Sequence, residues 1–194
     1  MYKVWNLLQG IQLLYVPGYN SLDCIQTLPP NHALKLQEIA FTYLYFLNKV
    51  LDFADTIFFV LRKNYKQISF LHVYHHVLMV LSTWSALAYY GSGGNHVVTS
   101  MLNSFVHVCM YGYYWLSANN PKYKYSALKR NITHIQFVQF ALIFLHNAWA
   151  ITFRPDCNSP KFLMYWSALQ SLIISLLFGN FYLKSYLKYK LKSV

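Results

Sequence analysis

Read from its N-terminus, the chain alternates long apolar runs with short polar breaks. A run of about 20 residues with few charges is long enough to cross the ~30 Å hydrocarbon core of a bilayer as a helix, at about 1.5 Å of rise per residue. Five runs of that kind are predicted as helices: Leu36 to Leu61, Leu71 to Tyr90, Val97 to Leu116, Ile132 to Phe153 and Phe162 to Leu183. A shorter sixth covers Val4 to Val16. Breakers separate them at Pro17-Gly18, Pro29-Pro30, Gly91 to Gly94, Asn119 to Pro121, and Arg154-Pro155 with Pro160. No repeat or low-complexity segment interrupts the pattern, so the expectation is one all-α domain, a polytopic transmembrane helical bundle.

Four of these runs carry polar residues spaced by three and four, which places each set on one helix face. Ionisable groups at membrane depth are costly and normally face a bundle interior or a wet cavity. The first set is Lys49, Asp52, Asp55 and Thr56. Lys49 and Asp52 are three apart and can pair, which leaves Asp55 to accept hydrogen bonds or to orient a histidine on a neighbouring helix. A purely structural ion pair is the alternative.

The second set, His72, His75 and His76 in HVYHH, brings three imidazoles to one face. Clustered imidazoles repel one another's protonation and poor solvation disfavours the charged ring, so neutral, nucleophilic or basic rings are expected. The third set is Asn103, His107, Met110, Tyr111 and Tyr114, in which Asn103 can present its amide one turn from His107. The fourth is Thr133, Gln136 and Gln139, preceded by Lys129 and Arg130. These amides and hydroxyls either join helices or bind the polar part of a substrate. His134 lies off this stripe, and His32, His96 and His146 have no motif around them.

Composition supports the membrane reading. Of 194 residues 56% are hydrophobic and only 11% charged, well below the proportion of charge in a soluble domain. The net charge of +11 has two common causes, nucleic-acid binding and membrane topology. The basic residues fall in short clusters between apolar runs, with no basic helix face or RNA-binding motif, which argues against nucleic acid.

Their distribution instead orients the chain. Arg62, Lys63 and Lys66 lie on one side, as do Lys122, Lys124, Lys129 and Arg130, and again Lys184, Lys188, Lys190 and Lys192. The segment Gly91 to His96, on the other side, has no Lys or Arg, and Arg154, Asp156 and Lys161 share that side. The positive-inside rule makes the basic side cytosolic, with the C-terminus there and Lys3 too if Val4 to Val16 spans. Cys24 and Cys157 then fall in loops on the non-cytosolic side, where an oxidising lumen permits a disulfide, and they are expected to pair. Cys109 lies within a span and reads as a small buried residue. Met1 to Val16 lacks a small-residue cleavage site, so insertion is expected to use the spans themselves.

The ordered segments KVLDFADT at Lys49 to Thr56, HVYHH at His72 to His76, NSFVHVCMY at Asn103 to Tyr111 and THIQFVQ at Thr133 to Gln139 resemble the very-long-chain fatty acid elongase family. Each alone is weak; together, in this order and on separate spans, they are specific. The resemblance implies a 3-ketoacyl-CoA synthase of the endoplasmic reticulum membrane that joins long-chain acyl-CoA to malonyl-CoA with release of carbon dioxide and CoA. It also implies a seven-helix, barrel-like fold with six helices around a closed-ended acyl tunnel. The family has a further helix before the point matching Val4, so six helices are expected here.

By position in the motifs, the resemblance makes His75 the acyl-carrying nucleophile and His107 its partner as base or support for the malonyl group. His72, His76, Asn103, Asp52 and Asp55 orient these rings, and Tyr111 donates a hydrogen bond. Lys49, Lys129 and Arg130 attract CoA phosphates and the malonyl carboxylate, with Thr133, Gln136 and Gln139 among the substrate-binding candidates. No cofactor and no metal are expected. Lys190 and Lys192 have the spacing of a dilysine retrieval signal, and Cys24 with Cys157 resembles a luminal link in the family. Reductases and a dehydratase of the elongation cycle are the implied partners, and a homodimer is left open. Two other readings use the same residues. A di-iron desaturase or hydroxylase needs about eight histidines in several boxes, whereas of the eight here only three form a box and the rest are dispersed. A transporter would use the buried His and Asp residues as a relay.

Overall fold

The structure is a computed structural model and describes residues 2–16, 20–21, 23–63, 65, 68–123 and 127–183. Six α-helices account for most of the described residues: α1 Tyr2–Leu14, α2 Lys35–Leu61, α3 Phe70–Ser85, α4 His96–Asn119, α5 Ala127–Phe153 and α6 Lys161–Tyr182. Each coincides with an apolar run of the sequence. A short antiparallel pair, β1 Asn20–Ser21 and β2 Cys24–Ile25, interrupts the helical pattern between α1 and α2. The predicted span ending at Tyr90 is not one regular helix, because Ala86–Tyr90 forms a wider π turn after α3. Lys66, Lys124, Lys184, Lys188, Lys190, Lys192 and the Pro17-Gly18 breaker lie outside the described residues.

The helices close into a ring in the order α1, α2, α3, α6, α5, α4 and back to α1. The α3–α6 seam is the slightest of these contacts. Both α5 and α6 are long and apolar enough to cross a membrane on length and composition alone. With 13 and 16 residues, α1 and α3 are shorter, and α2 and α4 carry polar stripes. Those stripes point inward. Lys49, Asp52, Asn103, His107 and Gln139 are buried, while Leu36, Phe70, Trp115 and Leu176 are exposed on the outside. A polar interior inside an apolar surface is the arrangement a bilayer requires, so the chain is an all-α membrane protein.

The end of the ring holding the Gly91–Asn95 turn is capped by packed polar groups. Glu38, 2% exposed, accepts hydrogen bonds from the Leu28 amide at 3.0 Å, the Ser92 hydroxyl at 3.0 Å and the Lys35 ammonium at 3.1 Å. The Asn95 side-chain carbonyl accepts from the Ile25 amide at 2.8 Å, and the Asn95 backbone N–H donates to Ser159 Oγ at 3.0 Å. Cys24 and Cys157 form a disulfide with their Cα atoms 5.8 Å apart. Beside it Arg154 pairs with Asp23, which also accepts a hydrogen bond from Ser21. The Ser21 hydroxyl and then the Arg154 guanidinium hold the Asp23 carboxyl below the usual carboxylate range. These contacts bind the β1–β2 hairpin to the α5–α6 connection and seal one end of the ring.

Candidate functional site

Toward the opposite end, α1, α2 and α4 meet around one carboxylate. Asp52 is only 2% exposed, as is Lys49, so neither charge is tolerable there without a partner. Lys49 Nζ donates to Asp52 Oδ2 at 2.8 Å and to Asn103 Oδ1 at 2.5 Å, which ties α2 to α4. Lys3, from α1, donates to the other oxygen, Asp52 Oδ1, at 2.6 Å. The Tyr111 hydroxyl lies 2.9 Å from Asp55 Oδ2 and 3.3 Å from Asp52 Oδ1. One phenolic proton serves one of these at a time, and the shorter distance favours Asp55. Lys3 also lies over the Tyr111 ring, 5.3 Å from its centroid.

The histidines lie beside this cluster. The His107 Nδ1 atom is 3.7 Å from Asp52 Oδ2, beyond hydrogen-bond range, and it is buried without a partner. On α3, Ser69 caps the helix by accepting from the His72 amide at 3.2 Å, and the three-and-four spacing puts His72, His75 and His76 on one face. His72 Nε2 lies 3.0 Å from Thr56 Oγ1 on α2. The His72 and His76 rings are 4.4 Å apart, and His76 meets the His75 ring edge-on at 5.5 Å. Phe140 of α5 closes on His75 from the other side at 6.0 Å. His75 Nδ1 is buried and unpartnered. Among the described residues, no group of three or more His, Cys, Asp or Glu side chains is disposed to hold a metal ion.

His75 stands at one end of a narrow cavity of about 60 Å³ between α3, α4, α5 and α6. Asn103 and Gln139 line the same end, and the wall continues past Met79 and Thr83 to Ala86, His96 and Leu163. From His75 to Ala86 the helix advances about 16 Å. Two side-chain ties cross the α3–α6 seam along this wall, Tyr74 to Gln170 at 2.8 Å and Trp166 to Ser82 at 2.9 Å.

The structure thus brings together Lys49, Asp52, Asp55, Asn103, His107 and Tyr111, with His72, His75 and His76 alongside. It divides the fourth stripe. Gln139 reaches the cavity, Gln136 Nε2 lies 2.9 Å from Met110 Sδ on α4, and Thr133 bonds back to the Lys129 carbonyl at 3.0 Å. Lys129 and Arg130 are exposed at the start of α5, whereas Lys49 is enclosed in the ion cluster. Asp55, expected either to accept hydrogen bonds or to orient a histidine, accepts from the Tyr111 hydroxyl, and Thr56 lies against the His72 ring. Sequence reasoning passed over Lys3 and Glu38. The only signal for Lys3 was its place one turn before the buried Asn6 on α1; Glu38 offered none beyond being an acid in an apolar run.

The sequence matches the ELO family, described as the GNS1/SUR4 family, over residues 1–194. It is 38% identical over 189 residues to very long chain fatty acid elongase F of Drosophila melanogaster, covering 97% of this chain and 73% of the relative. Very long chain fatty acid elongase 7 of the same fly is 35% identical over 192 residues, 97% of this chain and 56% of that protein. Human very long chain fatty acid elongase 4 is 37% identical over 178 residues, 89% of this chain and 55% of the relative. The chain therefore spans little more than half the length of the last two.

Proposed function

Because this chain belongs to the GNS1/SUR4 family, we propose that it acts in fatty acid elongation as the condensing enzyme, a 3-ketoacyl-CoA synthase that joins a long-chain acyl-CoA to malonyl-CoA. The observation that carries the reading is His75. Its Nδ1 has no partner, and its ring stands at the inner wall of a narrow cavity next to the buried Lys3–Asp52–Lys49–Asn103 cluster.

In this mechanism a neutral imidazole nitrogen of His75 attacks the thioester carbonyl. The carbon–sulfur bond breaks, CoA leaves as the thiol with the proton lost by the ring, and the acyl group rests on the imidazole. Malonyl-CoA then loses carbon dioxide. The resulting enolate carbon attacks the acyl carbonyl, forming the new carbon–carbon bond and breaking the acyl–nitrogen bond, and the released ring takes up one proton from water to return to its neutral form. His107 supports the malonyl group, and Asp52 holds Lys49 in place. Asn103 and Gln139 are the polar groups nearest the reacting carbonyl in the cavity wall. Lys129 and Arg130, exposed at the α5 terminus, attract CoA phosphates.

The reading places the protein in the endoplasmic reticulum membrane with its C-terminus cytosolic, where Lys190 and Lys192 serve retrieval. The product's keto group requires a reduction, a dehydration and a second reduction, so reductases and a dehydratase are the working partners. The test is incubation of reconstituted protein with radiolabelled malonyl-CoA and a panel of acyl-CoAs. Labelled 3-ketoacyl product is expected, lost in His75→Ala. Acyl-CoA alone should leave an acyl adduct on the His75 peptide by mass spectrometry. Absence of product from folded protein with every acyl-CoA rejects the reading.

A further inference from the structure

The far end of the cavity is chemically different from what an inert hydrocarbon terminus needs. Ser82, Thr83, His96, Thr99 and Ser167 all contribute to its wall near Ala86 and Leu163. Two of these are already engaged: Thr83 Oγ1 donates to the Met79 carbonyl at 2.7 Å, and Ser82 Oγ accepts from Trp166 at 2.9 Å. His96 Nε2 is different. It is buried and has no hydrogen-bond partner, while Tyr45, fully buried, fixes the ring edge-on at 5.7 Å. A separate space of only about 10 Å³, lined by Asn95, Asn147 and Ser159, shares His96 as a wall.

We propose that this inner end is a hydrogen-bonding subsite, in which His96 receives the far end of a chain that carries a hydroxyl group. A plain alkyl terminus would leave a buried imidazole nitrogen unpaired in every turnover. A hydroxyl both donates and accepts, so it satisfies Nε2 in either ring tautomer. Among the described residues, no Lys, Arg, Asp or Glu lines the cavity, which disfavours a charged terminus such as a second carboxylate. His75 and His96 thus stand at opposite ends of one cavity, the first at the reacting carbonyl and the second as the residue that reads the chain's other end.

The inference rests on the condensing reading for its substrate, and a paired assay separates the two. Reconstituted protein is given malonyl-CoA with two acyl-CoAs of equal length, one with a terminal hydroxyl and one without, over a series of lengths. At the length that fills the cavity, the hydroxylated chain should be favoured about tenfold in kcat/KM, the scale of one net hydrogen bond. His96→Leu should bring the ratio near one, and His96→Gln should retain part of it. Because the ratio is taken within one sample, a variant that folds poorly still reports it. A ratio near one in the wild type at every length, or one unchanged in His96→Leu, overturns the proposal while leaving condensation intact. Thermal stabilisation by the matching free fatty acids is read in parallel. A larger shift from the hydroxylated acid, abolished in His96→Leu, supports the subsite even if no condensation occurs, and equal shifts overturn it.

Discussion

Asp52 concentrates the physics of the site in one side chain. Its two oxygens take one lysine each, Lys3 from α1 at 2.6 Å and Lys49 from its own helix α2 at 2.8 Å. Removing the carboxylate charge leaves Lys49 an enclosed cation with the Asn103 carbonyl and the Tyr45 ring but no counter-charge, whereas Lys3, with 17% of its side chain exposed, can turn toward water. Breaking a buried pair from one side costs about 3–5 kcal/mol, because the surviving charge remains desolvated. Asp52→Asn is therefore expected to lower the thermal midpoint of reconstituted protein sharply, and Lys49→Met in the same chain to recover part of the loss. Scanning both variants against wild type by thermal unfolding checks this; a loss unaffected by the second substitution would assign the cost elsewhere. The stripe spacing made the Lys49–Asp52 pair legible in the sequence. Lys3 was not, since nothing local indicates that a lysine in a short N-terminal helix reaches a carboxylate 49 residues away.

Helix positions were the most legible level, because apolar runs bounded by Pro, Gly and Asn report where backbone polar groups can no longer be left to a membrane. The run Ile132 to Phe153 lies within α5, and Phe162 to Leu183 overlaps α6 to within a residue at each end. What the runs do not report is how an element ends. The π turn at Ala86–Tyr90 leads into glycines at φ +82°, +84° and +68°, and these turn the chain back into α4. Gly93 is the demanding one. Its left-handed backbone strains any L side chain, and a Cβ there would overlap the Glu38 carboxylate. Gly93→Ala thus combines strain of about 1–2 kcal/mol with displacement of an acid that accepts from Leu28, Ser92 and Lys35. The expected outcome is a lower thermal midpoint than for Gly91→Ala, whose Cβ meets nothing within 4 Å. Equal midpoints for the two would remove Glu38 from the account.

At the scale of the whole molecule, the Cys24–Cys157 disulfide joins the two halves of the ring at its capped end. It closes a segment separated by 133 residues, which includes α2 to α5. A cross-link over a segment of that length withdraws loop-closure entropy from the unfolded chain worth about 4–5 kcal/mol. Apart from the family resemblance, sequence indicated this pairing through topology: Arg62 and Lys63 mark one face, the Gly91–His96 segment without Lys or Arg marks the other, and both cysteines fall with the latter. The closed ring itself was not legible from spacing, since α3 packing against α6 depends on how six helices share one interior. Sidedness and stability can be read in one experiment. In sealed microsomes a membrane-impermeant phosphine should leave the bond intact, and after permeabilisation it should reduce it and lower the thermal midpoint. Cys24→Ser/Cys157→Ser should match the reduced wild type and gain no further loss on treatment. Reduction in sealed vesicles would put the capped end on the cytosolic side and invert the orientation drawn from the basic loops. It would also turn the His75 end of the ring toward the lumen, away from the cytosolic CoA esters the condensing reading requires.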